Sequence, residues 1–139
     1  MNQAAETPSI VATLVPEERR MEVLPRYLGR HMIRGELAVY TAMESLCDTY
    51  RGGFWDYVEL SNHVFYMAPR MDGPLTISCD SNGYEGEMSC DAAGIVATLF
   101  ALNAMAWSTQ DETFIDLYHR LIAFVPSHPE ARRIFAAID

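Results

Sequence analysis

Apolar residues divide the chain into a helical first third, a β-rich middle and a helical last third. Ile33, Leu37, Tyr40, Met43, Cys47 and Tyr50 recur at helical spacing. This predicts an amphipathic helix over about 33–48 with these residues inward. Upstream, Pro16-Glu17-Glu18 puts a proline and two acids where a first helical turn favours them. The helix they open is expected to be short, because Pro25 interrupts it. Gly52-Gly53 closes this part. Residues 54–61 and 64–68 are rich in aromatic and β-branched side chains and read as strands, with Asn62-His63 as their turn. Leu75-Thr76-Ile77-Ser78-Cys79 alternates, with Leu75, Ile77 and Cys79 inward. Asn82-Gly83 is a hairpin signal, since both residues tolerate positive φ, and residues 84–89 return as a fourth strand. The middle is expected to be a four-stranded antiparallel meander over about 54–88.

The chain is organised around the stretch that follows. Residues 92–107 carry no charge, and Ala, Leu and Met dominate them; all three are strong helix formers. Ser89 suits the N-cap, and Asp91 adds a negative charge at the positive end of the helix dipole. A helix without a polar face is buried. At about 27 Å it falls short of a membrane span, which needs roughly 20 apolar residues. It also lacks basic flanks and contains Thr98 and Asn103. It is read as a buried central helix over about 90–107. Thr109-Gln110-Asp111-Glu112 and Ser127-His128-Pro129-Glu130 have the capping-box pattern. They open two amphipathic helices, the first burying Phe114, Leu117, Tyr118, Leu121 and Val125, the second Ala131, Ile134, Phe135 and Ile138. Helices before and after an antiparallel sheet predict an α+β fold, one domain over 15–139 behind an N-terminal tail over 1–14.

Composition narrows the function classes. Ten arginines and no lysine stand against 19 acids, a net charge of -9. Residues 51–91 hold seven acids (Asp56, Glu59, Asp72, Asp80, Glu85, Glu87, Asp91) against Arg51 and Arg70, a balance of -5. Direct binding to nucleic-acid phosphates requires a basic footprint that this chain lacks. An acidic chain can instead mimic DNA, but duplex DNA carries a charge every ~1.7 Å, and no run here approaches that density. The three cysteines, Cys47, Cys79 and Cys90, are odd in number and have no C-x-x-C spacing. That argues against a disulfide framework and a zinc site, and for a reducing compartment. Residues 1–10 have neither the basic nor the apolar region of a signal peptide. A cytoplasmic monomer is expected, without membrane contact.

No phosphate-binding loop, dinucleotide fingerprint, nucleophile elbow or metalloprotease helix is present. His63 and His128 are expected to face solvent, and His31 and His119 to lie on helix surfaces. Cys90 falls in a first helical turn, where the dipole lowers a thiol pKa, but Asp91 opposes that. A two-residue Asn82-Gly83 loop would set Asp80 opposite Glu85 and Ser78 opposite Glu87. Like charges directly opposed destabilise a strand pair. Asp80, Glu85 and Glu87 therefore form an outward acidic patch, either a solvated face or a docking surface for a basic partner. The aromatic run containing Trp55 and Tyr57 shows no polar face, so its strands are either covered on both sides or expose an aromatic surface to a partner. These five residues are the candidate partner-binding set.

Gly52-Gly-Phe-Trp-Asp-Tyr-Val-Glu-Leu-Ser-Asn62 and Phe65-Tyr-Met-Ala-Pro69 resemble the antirestriction proteins of the ArdB/KlcA family. So do Ser81-Asn-Gly-Tyr-Glu-Gly-Glu-Met-Ser89 and Asp91-Ala-Ala-Gly-Ile-Val-Ala-Thr-Leu-Phe-Ala-Leu-Asn103. Leu24-Pro-Arg-Tyr27, Tyr118-His119, His128-Pro-Glu-Ala131 and Ala137-Ile-Asp139 extend the resemblance over nearly the whole chain. It implies a protein of plasmids or other mobile elements that inhibits the host's type I restriction enzyme, directly or indirectly. It further implies no cofactor, no metal and no catalytic centre, and a mechanism other than DNA mimicry. The sequence departs from the family at His63-Val64, where Gly-Gly is usual, and at Cys90, often Ala.

Overall fold

The computed structural model describes residues 9–139, and its core is built on one helix, α3 (Cys90–Thr109). The Ser89 hydroxyl oxygen caps it, accepting from Ala92 N at 3.1 Å. Residues 92–99 are all buried, as expected of a helix apolar all round. Its length and hydropathy would let it cross a membrane, but here the chain's own elements cover it: α2 (Met32–Leu46), β3 (Val64–Pro69), α4 (Glu112–Phe124) and α5 (Ala131–Ile138). Two residues bring β3 against it. Gly94 faces the β3 backbone so closely that a Cβ there would sit 2.2 Å from Met67 O. Thr98, fully buried, accepts a hydrogen bond from Met67 N at 3.1 Å. It thereby satisfies a backbone donor that the sheet leaves open.

The fold is α+β, and all four expected strands form, but as two sheets rather than one meander. β1 (Ala12–Leu14), β2 (Trp55–Leu60) and β3 make an antiparallel sheet in that order. β4 (Leu75–Cys79) and β5 (Tyr84–Met88) make a separate hairpin. Chain read as tail supplies β1, which pairs Thr13 with Glu59 of β2; residues 1–8 of that tail lie outside the described residues. β3 is covered on both faces: the rings of Phe65 and Tyr27 lie 5.2 Å apart, those of Tyr66 and Phe124 6.1 Å. That burial explains the strand's missing polar face.

The helices depart from the sequence reading in four places. α5 buries Ile134 and Ala137 and leaves Phe135, expected inward, 38% exposed. Pro25 does not interrupt the first helix: one 3-10 turn (Glu17–Arg19) leads into α1 (Arg20–Leu28), with Pro25 inside it. α2 is turned relative to the expected face. It buries Gly35, Val39, Met43 and Leu46, leaving Ile33 and Leu37 65% and 61% exposed. Neither capping box closes. Asp111 caps α4 by accepting from Thr113 N, while Thr109 ends α3. Glu130, assigned to its own helix, reaches α3 instead. Its carboxylate accepts from Ser89 N at 2.9 Å and from the Ser89 hydroxyl at 2.5 Å.

Candidate functional site

The β4–β5 hairpin carries three of the five candidate residues. Its register pairs Cys79 with Tyr84, Ser78 with Glu85 and Thr76 with Glu87. Residues 80–83 thus form a four-residue loop, closed by Gly83 N donating to Cys79 O at 2.9 Å, with Gly83 at φ 76°. The expected register is displaced by two residues. Two is the side-chain period of a strand, so every residue keeps its face. Leu75, Ile77, Cys79 and Met88 are buried, while Asp80, Glu85 and Glu87 are exposed. The opposition of Asp80 and Glu85 does not occur, because Asp80 lies in the loop.

Asn82 anchors this loop. Its Nδ2 donates to Ala137 O and Asp139 O, both at 3.0 Å, and its Oδ1 accepts from Tyr84 N at 2.9 Å. It therefore takes up carbonyls at the end of α5, which have no partner within the helix. The hairpin tip is tied to the end of the chain, and the acids beside it are held outward. Of the other acids of the middle segment, Asp56, Glu59 and Asp91 have partners, and exposed Asp72 has none among the described residues. Asp56 pairs with Arg70 at 2.7 Å. Glu59 accepts from Arg19, Arg26 and Tyr27 at 3.0, 2.7 and 2.9 Å. Burial opposes ionisation of Glu59, but the hydrogen bonds from Tyr27 and Arg19 and the two guanidinium charges outweigh it, holding its pKa below the ordinary value. Among the described residues, Asp80, Glu85 and Glu87 enter no ion pair.

Trp55 and Tyr57 are not surface residues. Trp55 is 2% exposed and Tyr57 6%. Trp55 Nε1 donates to Tyr50 Oη at 3.0 Å, and Tyr57 Oη to Glu36 at 3.3 Å. Burial and the Glu36 charge push the Tyr57 pKa up to about 12, so it stays a neutral donor. α1 and α2 close over this face of the sheet, and both residues leave the partner-binding set.

Beside the hairpin lies a feature the sequence reading missed, an apolar trough of about 690 Å³ between α2 and α3. Ala38 and Ala42 of α2 face Phe100, Ala101 and Ala104 of α3 across its floor, and the contiguous run Ser78–Ser81 forms a wall. Among the described residues Arg34 is its one basic lining residue, with Nη2 on Ser108 Oγ at 3.3 Å. Small residues at helical spacing were the available signal: alanines at 38, 42, 101 and 104 cannot fill the space between two helices.

A third cluster sits at the start of α3. Tyr66 Oη donates to Asp91 Oδ1 at 2.8 Å, and His128 Nε2 meets Asp91 Oδ2 at 2.7 Å. His128 Nδ1 accepts from Glu130 N at 3.0 Å, so the ring proton is on Nε2 and points at Asp91. The His128 side chain is 7% exposed rather than solvent-facing. Cys90 Sγ points toward Met71 O at 3.4 Å, and both nitrogens of His128 are already engaged. The cluster joins α3, β3 and the approach to α5; it offers no thiol–imidazole pair. Among the described residues no group of three His, Cys, Asp or Glu side chains is placed to hold a metal.

Comparison with known proteins adds independent findings. A family model described as "Antirestriction protein" matches residues 48–139. The antirestriction protein KlcA of Escherichia coli is 51% identical over 137 residues, 94% of either chain. A second KlcA from Escherichia coli is 47% identical, with 94% of this chain and 95% of that one covered. Among solved structures, one superposes at a TM-score of 0.90 with 48% identity, covering 100% of both chains. It comes from work on the KlcA and ArdB proteins, described as showing a novel fold and antirestriction activity against type I DNA restriction systems in vivo but not in vitro.

Proposed function

The chain belongs to the antirestriction protein family, and we propose that it relieves type I restriction of incoming mobile DNA inside the host cell. It acts without catalysis, as a cytoplasmic monomer that contacts protein rather than DNA. One observation carries this reading: the full-length match, at 48% identity and a TM-score of 0.90, to a protein active against type I systems in cells and inactive in vitro. A factor that works only in cells needs a cellular component beyond the restriction enzyme and its DNA.

DNA mimicry fits less well. A mimic competes with DNA for the enzyme and acts in vitro, and it needs charge at roughly the phosphate spacing. The free acids of the hairpin are three, Asp80, Glu85 and Glu87, too few to trace two phosphate strands, and Asp56 and Glu59 are held by arginines.

The test is the plating of unmodified phage on a host with an active type I system, alongside cleavage by the purified enzyme. Expression should raise plating, and the pure protein should leave cleavage unchanged. Undiminished restriction at good expression overturns the proposal. Salt-sensitive inhibition of the pure enzyme would establish mimicry in its place.

A further inference from the structure

We propose that the trough between α2 and α3 is a docking site for an amphipathic helix of a partner protein whose flank carries Lys or Arg side chains. For its consequence in the cell this rests on the antirestriction reading above; the recognition itself rests on geometry and charge. The lining runs along α2 from Arg34 to Leu46. That is about 18 Å at 1.5 Å per residue, room for three turns of a second helix. The alanines of the floor leave depth for the occupant's large apolar side chains, the arrangement by which helices seat in grooves. Leu37, on the lining, is 61% exposed and otherwise unpartnered by the fold's own core.

Charge selects the occupant. The hairpin wall places Asp80 on the trough itself, and Ser78 of the same wall stands opposite Glu85. Paired residues on one sheet face lie about 5 Å apart, so Glu85 is just behind the rim and Glu87 follows at the next outward position. All three are exposed and, among the described residues, enter no ion pair. A helix seated here meets an acidic wall on one side, and a basic flank complements it. Complementary charge of this kind speeds encounter and excludes like-charged partners. A second copy of this chain, at net charge -9, is a poorer match.

The probe is a fluorescein-labelled helical 14-residue peptide with leucines along one face and lysines on the adjoining flank. Its counterpart carries glutamates in place of the lysines. Two variants disable the site separately: Ala104→Gln narrows the floor, and Asp80→Asn with Glu85→Gln and Glu87→Gln removes the wall charge. Glu17→Gln with Glu18→Gln and Glu112→Gln is the charge control. By fluorescence anisotropy the lysine peptide should bind wild type at least tenfold more tightly than the glutamate peptide, and tenfold more tightly than it binds either site variant. In the plating assay both site variants should fold normally by circular dichroism and lose antirestriction tenfold or more, while the control keeps it. The proposal falls if the two peptides bind alike, if either site variant protects as wild type does, or if sedimentation shows the trough occupied by a second copy. If wild type itself fails to relieve restriction, the functional reading fails, and the peptide measurements still decide the trough.

Discussion

Gly94→Ala reverses the usual sign of a helix substitution, and the structure supplies the reason. Inside an exposed helix the change stabilises by roughly 0.5–1 kcal/mol, because glycine loses more backbone freedom on folding. Here the added Cβ would lie 2.2 Å from Met67 O, 2.6 Å from Ala68 Cα and 2.9 Å from Ala68 Cβ. Two of those atoms are backbone, so no rotamer change relieves them. β3 would have to retreat by nearly an ångström, straining the bond from Met67 N to Thr98. Overpacking of this kind costs about 1–3 kcal/mol, which outweighs the propensity gain. For a domain of this length the net loss, about 0.5–2 kcal/mol, lowers Tm by about 2–7 °C. Thermal unfolding followed by circular dichroism measures it. A Gly94→Ala variant as stable as wild type, or more so, would show that β3 and α3 do not approach as described.

Three further outcomes follow from named contacts. Thr98→Val keeps the shape but strands the buried Met67 N–H, and should cost about 1–3 kcal/mol in urea unfolding; a neutral result would mean that donor has another partner. His63 sits at φ 67° at the end of a three-residue loop between Leu60 and Val64, a position that favours glycine. His63→Gly should therefore raise stability by up to about 1 kcal/mol, and a loss would refute the strain. Acid should destabilise the fold through Glu59 and Glu130, whose folded pKa values lie below the ordinary 4.5. For Glu130, burial opposes ionisation, but the hydrogen bonds from the Ser89 hydroxyl and N–H, with the Arg133 charge, outweigh it. Their contribution is complete above about pH 4.5 and is lost as pH falls through the folded values. Unfolding free energy should be level from pH 7 to 5 and decline below, with a shallower decline in Glu59→Gln; stability that rises toward pH 3 would contradict the sign.

How much of this was legible depended on the range of the interaction. The central helix, its Ser89 cap and the inward residues of β4 follow from local pattern, and the structure has them as read. Apart from Pro25 and the length of the β4–β5 loop, which are local, the failures are tertiary. Glu130 reads as part of its own capping box because S-x-x-E is a local signal, yet it holds Ser89, the cap of α3, 41 residues earlier. His128 reads as exposed because it opens a helix, whereas Asp91, 37 residues away in sequence, and the Phe124 ring cover it. Trp55 and Tyr57 offered two readings, and only the position of α1 and α2 chooses between them. α2 presented apolar residues around much of its circumference, so its phase was ambiguous. The side left over became the trough.

The same accounting separates folding from function within the quoted motifs. In the stretch from Ser81 to Asn103, Asn82 holds the end of α5, Ser89 caps α3, Asp91 engages Tyr66 and His128, and Gly94 and Thr98 admit β3. Each of these has a folding task that explains its presence. Glu85 and Glu87 have none: they face Ser78 and Thr76, make no ion pair among the described residues, and project from a hairpin whose tip is anchored elsewhere. Nor do they carry the repulsion that a two-residue loop would have imposed, since Asp80 is not across from Glu85. Neutralising them should therefore leave stability within about 0.5 kcal/mol of wild type, as for surface changes that break no contact. A loss of activity in such a variant then reports binding alone. This distinguishes the acidic wall from Asn82, Ser89, Asp91, Gly94 and Thr98, where a substitution confounds the two.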